Sequence, residues 1–366
     1  MSIITTLKQS KKIHQSALGH TDEVQKPNHI SKKSAALIRA KRKQQIETSQ
    51  LIASILKGEI TSLSQAITLI ESSAEKHQNQ VREIIAECIQ HSGNSLRIGI
   101  TGVPGVGKST FIESFGKLLT EQGKKVAVLA IDPSSSVSGG SILGDKTRME
   151  ELVNNPLAFI RPSPAGKSLG GVARKTRESI ILCEAAGFDI ILIETVGVGQ
   201  SETAVHSMTD FFLLLKLAGA GDELQGIKRG IIEMADAILI NKSDGKNKEA
   251  ALKAKQEFNR ALHLYPPKQS NWKPKVKLTS ALENEGIEEV WKMILAYEAF
   301  TKENAYFFKN RMTQNKQWML QSIEEQLKNN FFNDESVKKE LSIQLKKAEN
   351  NEISPFEAAA YLLGLK

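Results

Sequence analysis

Residues 102–109 read Gly102-Val103-Pro104-Gly105-Val106-Gly107-Lys108-Ser109, which fits the pattern G-x-x-x-x-G-K-[ST]. An apolar run precedes this stretch and a helical pattern follows it, which is the context that the motif requires. The glycines let successive backbone N–H groups converge, and the amino end of the helix adds partial positive charge. The stretch therefore predicts a phosphate-binding loop: Lys108 reaches the β- and γ-phosphates, Ser109 ligates Mg²⁺, and Thr110 follows in the first helical turn.

Short apolar runs alternate with helical stretches on both sides of this loop. The runs are residues 96–100, 126–131, 158–160, 190–193, 211–217, 237–240 and 276–278. Continuous apolar runs separated by helices indicate a parallel sheet that is covered on both faces. We therefore predict an α/β fold with a doubly wound, mostly parallel sheet, whose ligands bind beyond the carboxyl ends of the strands.

Helical patterns flank this predicted domain, which we place at residues 96–282. In the preceding segment, 46–95, apolar residues recur at i, i+3, i+4 and i+7: Leu63, Ala66, Ile67 and Ile70. Ser62 stands just before them and is predicted to be the N-cap of their helix. We expect the helices of this segment to pack on the α/β domain.

The following segment, 283–366, is predicted to be a helical extension. Five of its apolar residues lie close to one stripe of a helix: Phe308, Met312, Met319, Ile323 and Leu327. Ser354, Pro355 and Glu357 have the spacing of a capping box with proline at the first helical position. Such helices either cover the domain or form a subunit interface, and the pattern alone does not choose between these alternatives.

The net charge of +8 is concentrated at the amino terminus. Residues 1–43 contain ten Lys and Arg against Asp22 and Glu23, which by itself accounts for +8. We expect residues 1–45 to form a flexible basic tail, with binding to an acidic partner or nucleic acid as the alternative. A mitochondrial transit peptide would favour Arg, yet none occurs before Arg39, so we expect a cytoplasmic protein.

Other features set further limits on the function. No apolar run approaches the roughly 20 residues that span a bilayer, so no membrane contact is expected. The two cysteines, Cys88 and Cys183, lie far apart in apolar helical patterns and are predicted to be buried thiols.

A second motif, N-K-x-D, selects the base. Asn241, Lys242 and Asp244 follow the apolar run 237–240. Guanine presents two donors that one carboxylate accepts, whereas adenine presents an acceptor that would leave Asp244 unpaired. The Lys242 stem can lie over the purine, and Asn241 can tie this loop to the phosphate loop. After the last run, Ser280 and Ala281, with Leu282 beside them, can supply backbone N–H groups to guanine O6.

Three acidic residues are candidates for the γ-phosphate end of the site. Glu194 ends the run 190–193 and is followed by Gly197, the arrangement that holds Mg²⁺ and senses the γ-phosphate. Most P-loop GTPases have Asp there. Asp132 ends the run 126–131, and Asp145 lies in a loop, where a solvated acid is the alternative. We assign all three to Mg²⁺ or to water positioning.

Taken together, these segments resemble the MeaB/ArgK family of GTPases that accompany methylmalonyl-CoA mutase. The matching stretches are 102–110 (GVPGVGKST), 131–135 (IDPSS), 144–149 (GDKTRM), 194–200 (ETVGVGQ), 221–228 (GDELQGIK) and 241–244 (NKSD). The resemblance begins at about residue 60 and continues to the carboxyl terminus. It does not cover the basic tail.

The resemblance implies a cytosolic, homodimeric G protein of the SIMIBI class that uses GTP or GDP and Mg²⁺. It implies an adenosylcobalamin-dependent acyl-CoA mutase as partner, which the GTPase protects and loads, with no cobalamin bound to this chain and no nucleic acid. It also makes 283–366 the expected dimerisation region. Finally, it places Lys228 in a segment that answers to the mutase, where a lysine brought to the nucleotide would stabilise phosphate charge together with Lys108.

Two other functions remain open at this point. A related GTPase can deliver a metal to another metalloenzyme, but such a protein needs Cys or His ligands near the nucleotide, and the sequence has no cluster of them there. A GTP-binding scaffold with negligible turnover is the second alternative. Hydrolysis assays would separate a scaffold from an enzyme.

Overall fold

A parallel β-sheet lies at the centre of the computed structural model, which describes residues 47–72, 74–131, 149–162, 169–195, 201–219 and 229–365. These residues all belong to the unit Glu47–Lys366. Five of the predictions above fall outside the described residues: the tail 1–45, Asp132, Asp145, Gly197 and Lys228.

The sheet has seven strands within the described residues. They are β1 (Leu96–Gly102), β2 (Val126–Ile131), β3 (Ala158–Arg161), β4 (Ile190–Thr195), β5 (Phe211–Leu217), β6 (Ala237–Asn241) and β7 (Lys275–Leu278). Their order is β3-β2-β4-β1-β5-β6-β7, and each neighbouring pair is parallel. Each predicted apolar run is a strand, so the predicted α/β fold is confirmed. The carboxyl ends of all strands therefore meet at one edge.

Helices precede, connect and follow the strands. They are α1 (Thr48–Leu56), α2 (Ile60–Glu71), α3 (Glu75–Cys88), α4 (Lys108–Glu121), α5 (Glu150–Val153), α6 (Leu169–Ala185), α7 (Ser201–His206), α8 (Arg229–Met234), α9 (Lys248–Leu262), α10 (Ile287–Glu303), α11 (Tyr306–Asn333), α12 (Glu335–Glu349) and α13 (Pro355–Leu363). No helix in these described stretches is long and apolar enough to cross a membrane.

Both faces of the sheet are covered by apolar side chains. In β4, Ile190 and Leu192 belong to one core, whereas Ile191 and Ile193 belong to the other. The first core includes residues of α4 and α10, and the second includes residues of α1, α2, α3 and α6. Because alternate residues of a strand face opposite sides, burial on both sides requires an uninterrupted apolar run.

The helix boundaries correct one prediction and confirm another. Helix α2 begins at Ile60 with Glu59 as its N-cap, so Ser62 is not the cap; its hydroxyl donates to Glu59 Oε2 at 3.2 Å within the first turn. Ser354 is the N-cap of α13, where its hydroxyl accepts the Glu357 N–H at 3.1 Å. Proline follows at the first helical position, as predicted.

Helix α11 is attached along one side to the loop between α7 and β5. Arg311 pairs with Asp210 through Nε and Nη2, at 2.8 Å and 2.6 Å. Gln314 and Trp318 donate to backbone carbonyls of the same loop. The predicted apolar stripe of this helix does not cover the sheet: its five residues are between 49% and 71% exposed.

Both cysteines are buried, as predicted. Burial raises the pKa of the Cys88 thiol to about 11, with a smaller contribution from Glu87. Burial also raises the pKa of Cys183. Neither thiol is ionised near neutral pH, so both are chemically inert packing groups.

Candidate nucleotide-binding site

The phosphate loop leaves the end of β1 in a conformation that requires glycine. Gly102 has φ of 152°, and a Cβ at this position would lie 2.6 Å from the Leu215 carbonyl oxygen of β5. Gly107 has φ of 95° and stands immediately before α4. These two glycines allow the loop to curl between neighbouring strands and end at a helix amino terminus.

Lys108 opens α4 and is 8% exposed. Its ammonium group donates to the carbonyl oxygens of Gly102 at 2.9 Å and Val103 at 3.3 Å. The side chain therefore folds back over its own loop, and a buried cation lies where the sequence places the phosphates.

The base loop after β6 is hydrogen-bonded to the phosphate loop. Asn241 Nδ2 donates to the Val106 carbonyl at 2.9 Å, and Lys242 Nζ donates to the Gly105 carbonyl at 2.9 Å. The contact predicted for Asn241 is thus present. A Cβ on Gly107 would lie 2.7 Å from Asn241 Nδ2, so this approach also depends on glycine. The two sequence motifs are therefore directly hydrogen-bonded to each other.

Asp244 is held by a short hydrogen-bond chain. Its Oδ2 accepts from the Ser280 hydroxyl, and that hydroxyl accepts from the Glu283 N–H at 3.2 Å. Lys242, two residues before Asp244, has φ of 56°, which is uncommon for a residue with a side chain. Unusual backbone conformations of this kind occur often at ligand sites.

The loop after β7 differs from the expectation for its backbone amides. The Ser280 N–H donates to the Glu285 carbonyl at 3.0 Å, and the Ala281 N–H donates to Asn241 Oδ1 at 3.3 Å. Both amides therefore have protein acceptors, and Ser280 contributes through its hydroxyl instead. Leu282 follows on the same loop with a side chain that is 76% exposed.

The end of the site where the sequence predicts Mg²⁺ joins β4 to α4. The Ser109 hydroxyl donates to Glu194 Oε1 at 3.4 Å, and the Glu194 residue is 7% exposed. Beside it, the Thr195 hydroxyl donates to Thr101 Oγ1 at 2.8 Å, which ties the ends of β4 and β1 together.

These oxygens suit Mg²⁺. The ion binds oxygen at about 2.1 Å in octahedral geometry, so two adjacent ligands lie about 3 Å apart. The Ser109 and Glu194 oxygens are already near this spacing. Among the described residues there is no group of three or more His, Cys, Asp or Glu side chains that could hold a metal. A Mg²⁺ ion here would take its remaining ligands from water and phosphate, as is usual for this ion.

The sequence analysis missed two side chains that support the loops around the site. One is the Ser280 hydroxyl. The other is Glu113, whose Oε1 accepts the N–H groups of Glu151 at 2.8 Å and Leu152 at 3.1 Å. This carboxylate caps the short helix α5 from α4, one turn after Ser109. A Glu in a helix has many roles, so no sequence signal identifies it.

A phosphate loop after β1, a base loop with N-K-x-D after β6 and a carboxylate at the end of β4 define the class of P-loop GTPases. The profile of the family described as "Methylmalonyl Co-A mutase-associated GTPase MeaB" matches residues 63–336. The chain belongs to this family.

Individual proteins agree with this assignment. GTPase ArgK of Escherichia coli (strain K12) is 45% identical over 307 residues, which cover 84% of this chain and 93% of ArgK. The methylmalonic aciduria type A homolog, mitochondrial, of Mus musculus is 44% identical over 331 residues, or 88% of this chain and 80% of that protein. A crystal structure named LAO/AO transport system kinase has a TM-score of 0.69 at 37% identity and covers 87% of this chain and 97% of its own.

Proposed function

We propose that the chain binds GTP and hydrolyses it to GDP and phosphate with Mg²⁺. The observation that carries this proposal is the pair of hydrogen bonds by which Asn241 and Lys242 join the base loop to the phosphate loop. The pair holds Asp244 at a fixed position relative to the phosphate loop, so one nucleotide can occupy both ends. A carboxylate there favours guanine over adenine.

In this proposal Lys108 exchanges its two carbonyl partners for phosphate oxygens. A phosphate carries full negative charge, so the charged hydrogen bond gained is stronger than those given up. Ser109 and Glu194 hold Mg²⁺, which neutralises charge on the β- and γ-phosphates. Glu194 acts at the γ-phosphate end, and the remaining ligands of the ion are water and phosphate oxygens.

Three further assignments remain proposals that family resemblance supports. Asp132 and Asp145 are candidates for Mg²⁺ binding or water positioning. Lys228 is a candidate for stabilising phosphate charge when a partner protein binds.

We propose an adenosylcobalamin-dependent acyl-CoA mutase, methylmalonyl-CoA mutase, as the partner that this GTPase protects and loads with intact cofactor. The description of the family and the name of the mouse relative support this partner. The cobalamin belongs to the mutase in this proposal. A cytoplasmic location stays a prediction.

We also propose a homodimer formed by the region 283–366. The exposed stripe on α11 supports this proposal, because apolar side chains at 49–71% exposure along one helix form a surface suited to a second copy. Phe356 on α13 adds another exposed aromatic ring.

Single-turnover hydrolysis of GTP and ATP, with and without methylmalonyl-CoA mutase, tests the function. We expect Mg²⁺-dependent hydrolysis of GTP that chelation abolishes, little hydrolysis of ATP, and faster turnover with the mutase. Tight GTP binding without turnover in either condition would show a scaffold. Hydrolysis that the mutase leaves unchanged would retain the GTPase and remove the proposed partner.

A further inference from the structure

Helix α4 makes a hydrogen bond that reaches the base end of the site. The Ser114 hydroxyl donates to the Ala281 carbonyl at 2.6 Å, across 167 positions of the sequence. Ser114 lies six residues after Lys108, which is about 9 Å further along the helix axis. The helix that begins at the phosphate loop therefore also holds the loop after β7.

The partner of Ser114 differs from that of other hydroxyls in helices. Serine and threonine in a helix commonly donate to the carbonyl four residues earlier in the same helix. Five hydroxyls in the described helices do so: Thr68, Thr176, Ser179, Thr301 and Thr313. The hydroxyl of Ser114 instead crosses to another element, so its bond restrains the loop after β7.

This bond also fixes the direction of the next backbone amide. A trans peptide is planar, and its carbonyl and its N–H point in opposite directions. The peptide from Ala281 to Leu282 is trans. Because its carbonyl points to Ser114 on α4, its N–H, which belongs to Leu282, points away from α4.

The Leu282 N–H differs from the amides of the two residues before it. Those two amides donate to acceptors within the protein. The Leu282 N–H has no hydrogen-bond acceptor among the described residues. Leu282 is also 76% exposed, whereas Ala281 is 5% exposed. The loop therefore offers an oriented donor at the end of the site where Ser280 holds Asp244.

We propose that Ser114 is a positioning residue for guanine recognition, because it turns the Leu282 N–H towards O6 of the bound base. The inference rests on the proposed function, in which Asp244 accepts the N1–H and the 2-amino group of guanine. Those two contacts leave the O6 acceptor without a donor, and a polar group that loses water without gaining a partner weakens binding. Ser114 and Asp244 thus serve different atoms of one edge of the base.

Two analogues of GDP separate the contact to O6 from the other contacts to the base. Inosine diphosphate keeps O6 and lacks the 2-amino group. 6-Thioguanosine diphosphate keeps the amino group and replaces O6 with sulfur, a weaker hydrogen-bond acceptor than oxygen. Diphosphates are used because they are not hydrolysed during a calorimetric titration. We expect the full chain to bind GDP more tightly than the thio analogue.

Variants of α4 test the role of Ser114. Ser114→Ala should weaken the binding of GDP and of inosine diphosphate about three- to tenfold, the usual effect of one lost hydrogen bond. Binding of the thio analogue should change less, since its contact to the Leu282 N–H is already weak. In GTP hydrolysis the loss should appear in KM rather than in kcat, because it concerns contacts to the base.

Two control variants accompany Ser114→Ala. Ser114→Thr keeps the hydroxyl and should restore most of the affinity for GDP. Thr120→Val removes another hydroxyl of α4, one that accepts from Asn155 Nδ2 at 3.0 Å. This variant should leave the affinities for all three diphosphates unchanged.

The outcomes that would overturn the inference are distinct from a failure of the proposed function. Equal affinity of the unaltered protein for GDP and the thio analogue would show that O6 has no donor, and this comparison needs no variant to fold. GDP binding that Ser114→Ala leaves unchanged, or a loss that is equal for all three diphosphates, would remove Ser114 from the reading of O6. A chain that binds no guanine nucleotide would refute the proposed function itself and this inference with it.

Discussion

The proposed selection of guanine by Asp244 requires its carboxylate to be held in one orientation, and Ser280 provides this restraint. The hydroxyl is in turn fixed by the Glu283 N–H. The carboxylate that we propose to read the base is therefore supported by two residues from the loop after β7, which lies beside β6 in the sheet. This support is typical of sites that must be rigid before the ligand arrives.

Replacing Asp244 with Asn should weaken GTP binding by about 1.5–3 kcal/mol, because a charged acceptor becomes a neutral, mismatched amide. Binding of xanthosine triphosphate should improve, since xanthine has an acceptor where guanine has its amine. Isothermal titration of both nucleotides measures the switch. Ser280→Ala keeps the carboxylate and should cause a smaller loss; unchanged GTP affinity in Asp244→Asn would disprove the base assignment.

Gly107 and Gly105 form a matched pair for the contact between the loops. Both have left-handed φ, 95° and 79°, so alanine at either costs about 1–2 kcal/mol of stability. Only the Cβ at Gly107 would meet Asn241 Nδ2; at Gly105 no atom lies within 4 Å. We therefore expect Gly107→Ala to lose far more GTP affinity than Gly105→Ala. Equal losses in titration would show that the contact with Asn241 is not needed.

At the scale of elements, helix α5 shows how a short helix depends on its neighbour. Its four residues are too few to be stable alone, and no side chain of its own caps it. Glu113 on α4 accepts two of its amino-terminal N–H groups. Helix α4 therefore anchors the amino end of α5.

Glu113→Ala should destabilise the protein by about 1–2 kcal/mol, the usual effect of losing a helix cap. Glu113→Gln retains an acceptor oxygen and should lose less. Lys117→Ala, which breaks only an exposed ion pair between α4 and Glu151, should have little effect. Denaturant unfolding ranks the stabilities of the three variants. A Glu113→Ala protein as stable as Lys117→Ala would contradict the proposed capping role of Glu113.

Side chains of α10 and α11 hold the loop after α7 through the backbone carbonyls of that loop. Three carbonyls of this loop accept side-chain donors from the carboxyl-terminal helices: Ser207 from Trp318, Thr209 from Gln314, and Asp210 from Tyr297. Backbone acceptors are independent of the loop's own side chains. Together with the Arg311–Asp210 ion pair, these bonds fix the path of the chain into β5.

At the scale of the whole molecule, a buried charge network joins β1, α6, the loop before β5 and α11. Burial raises the pKa of Glu184, but its ion pair and hydrogen bonds with Arg97 and Ser95 outweigh burial, so the pKa lies below its ordinary 4.5. A lowered pKa in the folded state stabilises the protein above pH 4.5, and this contribution is lost as the pH falls through the folded value.

We expect stability to fall with acid below about pH 4.5 and the Glu184→Gln variant to show a shallower dependence. At neutral pH, Arg97→Met should cost about 3–5 kcal/mol, because it leaves the buried carboxylate unpaired. Denaturant midpoints measured between pH 3 and 8 test both statements. If the stability of Glu184→Gln depends on pH as that of the unaltered protein does, groups other than Glu184 cause the loss of stability in acid.

The proposed dimer gives another prediction at this scale. Met312→Glu places a charge in the exposed stripe of α11 and should convert a dimer to a monomer in light scattering. Gln317→Glu, on an exposed position of the same helix away from the stripe, should leave the dimer intact. A dimer that survives Met312→Glu would exclude this stripe as its centre.

Much of the fold could be predicted because two-sided burial leaves a direct trace in the sequence. Ile190 to Ile193 form an apolar run since alternate residues serve different cores. The Asn241 contact was predictable because both motifs follow strands whose ends share an edge. The hydrogen bond from the Ser280 hydroxyl to Asp244 could not be predicted. The Ser280 amide is used in a bridge to Glu285, and this bridge has no sequence signature. Arg311 and Asp210 pair across 101 positions, and no local pattern encodes such a pair.

The burial of both cysteines has a practical consequence. A maleimide dye reacts with an exposed thiolate, and neither Cys88 nor Cys183 provides one, since burial raises both pKa values. A cysteine introduced at the exposed Leu282 would therefore be the one thiol on the folded chain that takes the dye readily. Neither native cysteine has to be replaced before labelling. Fluorescence from a single dye at position 282 could therefore follow the binding of a nucleotide or a partner.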